Sequence, residues 1–245
     1  MMASKVEKLE IVRKMQKEID ALQGLGRPLG SIHRTGFAPF ESAFPDRVFP
    51  VGTVHEFLSH EASHAACTNG FVAALASTFL NKDGICLWIG RNRRIFPLAL
   101  KLFGMQPENV IFVDLHKQNE LLWAIEEALR CDALTAVVGE LKELGFTESR
   151  RLQLAVEKSG VTGFIHRQNP KTENSVACTT RWKVRPVESY SEHDLPGVGH
   201  AVWNVELVKV RNGLPGSWQI GWFGNRFMSM ANRRLEKNVE ALQVG

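Results

Sequence analysis

Hydrophobic positions fall along this chain in textures that change twice. Between residues 54 and 165 they gather in short runs of strand length, at 54–58, 85–89, 110–113, 134–138 and 161–165. Runs that are apolar on both faces belong to strands covered on both sides, as in a parallel sheet. Helical segments separate them, at 71–76, 95–103, 118–131 and 147–158, the third carrying Leu121, Leu122, Ile125, Ala128 and Leu129 on one stripe. Strand and helix in alternation predict a doubly wound α/β core with a mainly parallel sheet flanked by helices. From Val176 the spacing switches to every second residue, at 178–184, 203–210 and 217–222, and Asn212-Gly213-Leu214-Pro215-Gly216 separates the last two runs. That pattern predicts antiparallel strands extending the sheet.

Ahead of the core, Val6, Leu9, Val12, Met15, Ile19 and Leu22 recur by threes and fours among charges, and Gly24 and Gly26 end the pattern. One narrow stripe on a helix is expected to pack on the parent domain or on a second chain, which makes it a candidate homo-oligomer contact. The next stretch carries Pro28, Pro39, Pro45 and Pro50 with phenylalanines up to Phe49, expected to pin an extended linker to the domain surface. These boundaries give an N-terminal helix at 1–24, a linker at 25–48, a core at 49–223 and a polar, basic tail at 224–245.

Composition narrows the class without choosing a function. With 245 residues and 44% hydrophobic content, the chain can bury a full core. A net charge of +4 and a pI near 8.9 permit contact with an anionic polymer without requiring it. Cys67, Cys86, Cys131 and Cys178 stand far apart, so neither a disulfide framework nor a zinc ribbon is suggested. No segment approaches a membrane span, and a soluble cytoplasmic protein without membrane contact is expected.

Residues 53–76 order a strand, a polar loop at 59–64 and an apolar helix, with helix starts available between Ala65 and Gly70. A phosphate-binding loop has that order, but it also needs glycines whose backbone N–H groups wrap the phosphate, a lysine, and a hydroxyl for Mg²⁺. Here the stretch reads Ser59, His60, Glu61, Ala62, Ser63, His64, Ala65, with no glycine and no lysine. It is expected to be a degenerate nucleotide loop, with no nucleotide, no cofactor and no metal bound. His60-Glu61-Ala62-Ser63-His64 matches a zinc-protease pattern, yet it follows a buried strand and is read as two polar loop histidines. No nucleophile elbow occurs, and His55 reads as a core or edge residue. Asp114 ends a strand, where α/β sheets hold ligands, and reads as a capping carboxylate.

The Phe49-Pro50-Val51-Gly52 lead-in, the four strand and helix units and the final meander together resemble a RecA-type core. Within it, Leu122-Trp123-Ala124-Ile125-Glu126-Glu127, Glu148-Ser149-Arg150-Arg151-Leu152 and residues 203–213 resemble the ImuA family, over about 49–222. The resemblance implies a RecA-like fold and an accessory role in damage-induced translesion DNA synthesis. It also implies an ImuB-like Y-family homologue and a DnaE-type error-prone polymerase as partners. The lysine of the nucleotide loop would fall near Ala65, the metal-binding acid at Gly139-Glu140, and the catalytic glutamate where Gly90-Arg91-Asn92-Arg93-Arg94 stands. Altered together, these positions point to a non-catalytic adaptor. An ATP-dependent DNA-binding protein and a SulA-like cell-division inhibitor are the alternatives. For DNA, Arg91, Arg93 and Arg94 at the sheet's carboxyl edge, and Arg167 and Lys171 in the loop after the fifth strand, are the candidate phosphate contacts. No aromatic platform for bases accompanies that loop. Trp182, Trp203, Trp218 and Trp222 are expected in the core, with one or two left outside as interface anchors.

Overall fold

In the computed structural model the central strand is β1 (Val54–Ser59), whose six residues are all buried. The structure describes Met15 and residues 35–80, 83–91, 95–191 and 198–231. The chain divides into a unit at 1–31 and a unit at 32–245, and the second holds every element described below. Apart from Met15, the expected N-terminal helix lies outside the described residues, as do Arg93, Arg94 and everything from residue 232 on.

The remaining strands are β2 (Cys86–Gly90), β3 (Val110–Asp114), β4 (Ala136–Leu141), β5 (Thr162–Gln168), β6 (Thr180–Pro186), β7 (Val202–Val210), β8 (Gly216–Phe223) and β9 (Arg226–Ser229). They form one sheet in the order β3-β2-β4-β5-β1-β6-β7-β8-β9. From β3 to β6 every pairing is parallel, and from β6 to β9 every pairing is antiparallel. This is the expected RecA-like α/β sheet, with one adjustment: β6 is parallel to β1 on one edge and antiparallel to β7 on the other. The helices are α1 (Ala38–Glu41), α2 (Ala62–Ser77), α3 (Gln118–Leu129) and α4 (Phe146–Ser159). Residues Pro97–Phe103, expected to be a helix of the ordinary kind, form a 3₁₀ helix that starts on Pro97 and ends on Gly104 at φ 78°.

Both faces of the sheet carry core. Under α3 and α4 lie Ile89, Leu121, Ile125, Leu129, Val137, Leu152 and Val156. Gly139 is required there, because a Cβ would sit 2.4 Å from Ile125 Cδ1. The opposite face is aromatic. Trp182 is stacked on Phe57 at 6.1 Å and packs on Phe40 at 5.1 Å, and Phe71 meets Trp203 edge-on at 5.6 Å. Phe40 and Phe49 are buried, so the linker phenylalanines are part of the core rather than pins on its surface. Trp182, Trp203 and Trp222 are buried and Trp218 packs on Phe40, so none of the four is left outside; the exposed tryptophan is Trp123 on α3. The start of the supposed tail is β9, joined to β8 through Gly224 (φ 51°) and Asn225 (φ 60°). Two successive positive φ angles are what a tight hairpin needs.

Inside β1 stands a carboxylate. Glu56 is fully buried and accepts from Arg167 Nη1 on β5 at 2.9 Å and from Arg181 Nε on β6 at 2.5 Å. Each arginine then reaches the β5–β6 connection: Arg167 Nη2 donates to Thr172 O at 2.9 Å, and Arg181 donates to the carbonyls of Glu173 and Asn174. Further ties come from Glu143 to the Lys171 N–H, from Asn174 Nδ2 to Leu144 O and from Lys209 Nζ to Val176 O. On the helical layer Glu126, also buried, is held by Arg130 and Arg151 in the same manner. Removing Glu56 takes from Arg181 its acidic partner and leaves buried Arg167 only Glu143, at 3.4 Å. Glu56→Ala is expected to lower unfolding free energy by about 3–5 kcal/mol, read as a lower denaturant midpoint, and to open residues 169–179 to limited proteolysis first.

Candidate functional site

The carboxyl edge of the parallel strands is where α/β sheets place their crevices, and β1 leads into it. Between Ser59 and the first residue of α2 stand only His60 and Glu61. The expected loop at 59–64 is therefore a two-residue connection, with Ser63, His64 and Ala65 in the first helical turns. Ala62, Ala65 and Ala66 explain the early start, since alanine is the strongest helix former and no glycine or proline holds the chain open. Glu61 takes the position before the helix with an extended backbone and no side-chain cap.

Beneath the connection runs a chain of side-chain hydrogen bonds across five elements. Ser59 Oγ lies 2.9 Å from Thr68 Oγ1 and 2.9 Å from His166 Nε2. His166 Nδ1 lies 2.8 Å from Asn69 Oδ1, and Asn69 Nδ2 donates to Glu140 Oε1 at 3.2 Å. Trp88 Nε1 donates to the same oxygen at 3.0 Å. The partners fix the direction: Asn69 Oδ1 only accepts, so His166 carries its proton on Nδ1 and accepts from Ser59 on Nε2. Burial pushes the His166 pKa down to about 3, which keeps the ring neutral. His55 is similarly held, between Thr180 Oγ1 and Pro50 O, with its pKa down to about 3. Gly90 makes room for the carboxylate, since a Cβ there would lie 3.0 Å from Glu140 Oε2.

The sequence-derived positions distribute differently from expectation. Arg167 is not in the loop after β5 but on β5, fully buried, with its guanidinium spent on Glu56, Glu143 and Thr172 O. The strand extends past Ile165 because His166 and Arg167 find internal partners, and that removes Arg167 from the surface. Lys171 is in the loop and exposed, and Arg91 is exposed at the end of β2. His60 and His64 do not face one ligand: His60 Nε2 pairs with Glu173 at 2.8 Å, while His64 lies 3.8 Å from Glu61. Among the described residues there is no cluster of three or more His, Cys, Asp or Glu that could hold a metal ion. Sequence reasoning missed His166, Asn69, Trp88 and Glu56. Their only signal was polarity inside strand and helix cores.

A cleft of about 420 Å³ opens at this edge, lined by the connection residues, by Arg91 beyond β2, by Glu140 and Lys142 at the end of β4, and by Gln168 and Asn169 at the end of β5. Among the described residues no Phe, Tyr, Trp or Gly lines it, and His60 is its one ring.

No family model matches the chain. Two curated relatives do, both named "Protein ImuA" and both from Caulobacter vibrioides, strains NA1000 and ATCC 19089. Each is 31% identical over 226 residues, covering 86% of this chain and 93% of the relative. At that identity and coverage the chain belongs to the ImuA family.

Proposed function

We propose that this member of the ImuA family acts as a non-hydrolysing adaptor in damage-induced translesion synthesis, joining an ImuB-like Y-family homologue to a DnaE-type error-prone polymerase. One observation carries the reading. Where a RecA-type enzyme would wrap a triphosphate, this chain has a two-residue connection, and beneath it a neutral hydrogen-bond chain runs from Thr68 to Glu140. A two-residue connection without a glycine cannot wrap a triphosphate, and the alanine at the helix start adds no cation. Glu140, at the end of β4 where the metal-binding acid of a RecA-type enzyme would stand, is engaged by Trp88 and Asn69.

Contact with DNA is the smaller part of this reading. With Arg167 buried, the described candidates are Arg91 and Lys171, and two cations without stacking aromatics give weak, salt-sensitive phosphate binding. Protein surfaces therefore carry the role. Among the described residues no helix is long and apolar enough to cross a membrane. Co-purification with polymerase components, as opposed to a cell-division protein, separates this reading from a division inhibitor.

Two measurements follow. An ATP site filled to about 100 times its Kd would add about 2.7 kcal/mol to stability, so the melting temperature is expected to stay unchanged with ATP and Mg²⁺. A rise of several degrees that EDTA abolishes would refute the adaptor reading. The neutral histidines also set a pH dependence. His55 and His166 stay unprotonated in the fold down to about pH 3, whereas the unfolded rings take up protons below 6.5. The unfolded chain then binds more protons, so stability is complete above pH 6.5 and is lost as pH falls from 6.5 toward 3, by on the order of 1 kcal/mol per unit for each ring. Denaturant titrations at pH 7.5 and 5 should show the midpoint falling on acidification.

A further inference from the structure

Trp123 is 65% exposed on α3, although Trp182, Trp203 and Trp222 are buried. Tryptophan is among the side chains that most often anchor protein contacts. Glu120 lies three positions before it and Glu127 four after, so the three share one helix face, and all are exposed. On α4, Arg150, Leu154 and Lys158 recur at intervals of four and share the outer face there, also exposed. Among the described residues neither Arg150 nor Lys158 has an ion pair or a side-chain hydrogen bond.

Two bonds fix how these helices are aligned. Gln118 Nε2 donates to Glu143 O and Arg151 Nε donates to Glu126 Oε1, each pair 25 positions apart in the chain. Both helices run the same way, since each leads from one parallel strand to the next. Glu127 is therefore level with Leu152, about half a turn from both Arg150 and Leu154.

The outer surface of the pair is thus an acidic row holding Trp123 beside a basic row holding Leu154. A partner of one sign does not suit it. Phosphates or an acidic segment laid on Trp123 would meet Glu120 and Glu127, and a basic segment laid on Leu154 would meet Arg150 and Lys158. Glu120 has Lys117 and Glu127 has Arg130 on its own helix, but these are exposed pairs that exchange partners at little cost. What matches is a surface with the same two rows in exchanged positions, and a two-fold axis along the seam makes one from the chain itself. It lays α3 of each copy on α4 of the other and keeps every residue at its own level. Glu127 then faces Arg150 of the second copy, and Trp123 rests beside that guanidinium, which an indole face attracts.

We infer that the outer faces of α3 and α4 form a two-fold contact between two copies of this chain, pairing Glu127 with Arg150 of the second copy and burying Trp123 against its α4. The adaptor role proposed above does not depend on this contact.

The test is sedimentation equilibrium on the full chain at low salt, where exposed charges are least screened. A dimer is expected. Glu127→Arg sets like charges at both symmetry-related contacts and should raise the dimer Kd about tenfold at each, hence about a hundredfold. Arg150→Glu should do the same. An equimolar mixture of these two variants should recover dimers, because the introduced arginine and glutamate meet each other at one contact and the unchanged Glu127 and Arg150 meet at the other. That recovery also shows that both variants are folded. Trp123→Ala should weaken the dimer about a hundredfold, as loss of a central aromatic anchor does. Leu98→Ala, at an exposed apolar position on the other face of the sheet, should leave it intact. A chain that stays monomeric at about 100 μM, a dimer indifferent to either charge reversal, or a mixture that fails to recover would overturn the inference. A dimer lost in Leu98→Ala and kept in Trp123→Ala would overturn it too, by moving the contact to the opposite face.

Discussion

The position of one buried carboxylate governs much of this fold. Glu56 lies in the middle of the central strand with no solvent access, between an arginine on each neighbouring strand. Desolvating three charged groups costs several kcal/mol for each ion, and such clusters are often replaceable by apolar residues without loss of stability. What an apolar replacement could not supply is direction. Each guanidinium has more donors than Glu56 can accept, and the surplus is spent on Thr172, Glu173 and Asn174 carbonyls. The register that pairs Glu56 with Arg181 thus also fixes the path of the β5–β6 connection. Arg167 Nε alone remains without a partner, a residual cost of holding the arrangement.

The same logic repeats one layer toward the carboxyl edge, with neutral groups. Ser59, Thr68, Asn69 and His166 satisfy one another in series and end on Glu140, so the edge of the sheet is closed by hydrogen bonds internal to the chain. A buried network of this kind is stable only when every member is paired, because an orphaned polar group in low dielectric costs about 1–3 kcal/mol.

The order of the parallel strands and helices was legible in the sequence because doubly buried strands are runs of apolar residues that solvent-exposed segments cannot mimic. Boundaries were not, and the errors share a cause. The fifth strand was ended at Ile165 because His166 and Arg167 are polar, yet both are buried with partners more than a hundred residues away in the chain. Local pattern carries no trace of such pairing. The start of α2 was placed too late for a related reason: the polar letters between Ser59 and His64 read as loop, although the alanines among them favour helix. β9 escaped notice since four residues are too few to show alternation, while its signal, Gly224-Asn225, lay in the turn. Alternation in the meander suggests one or two outward tryptophans, yet none of Trp182, Trp203, Trp218 and Trp222 is exposed, and the exposed one is Trp123, on a helix.

A parallel sheet makes a crevice at its carboxyl edge whether or not it binds a nucleotide, because neighbouring strands send their connections to opposite faces. Removing the glycines and lysine of a phosphate loop therefore does not remove the cavity; it changes the cavity's lining. In this chain the strand ends supply Arg91, Lys142, Gln168 and Asn169, groups positioned by the strands themselves and independent of the shortened connection.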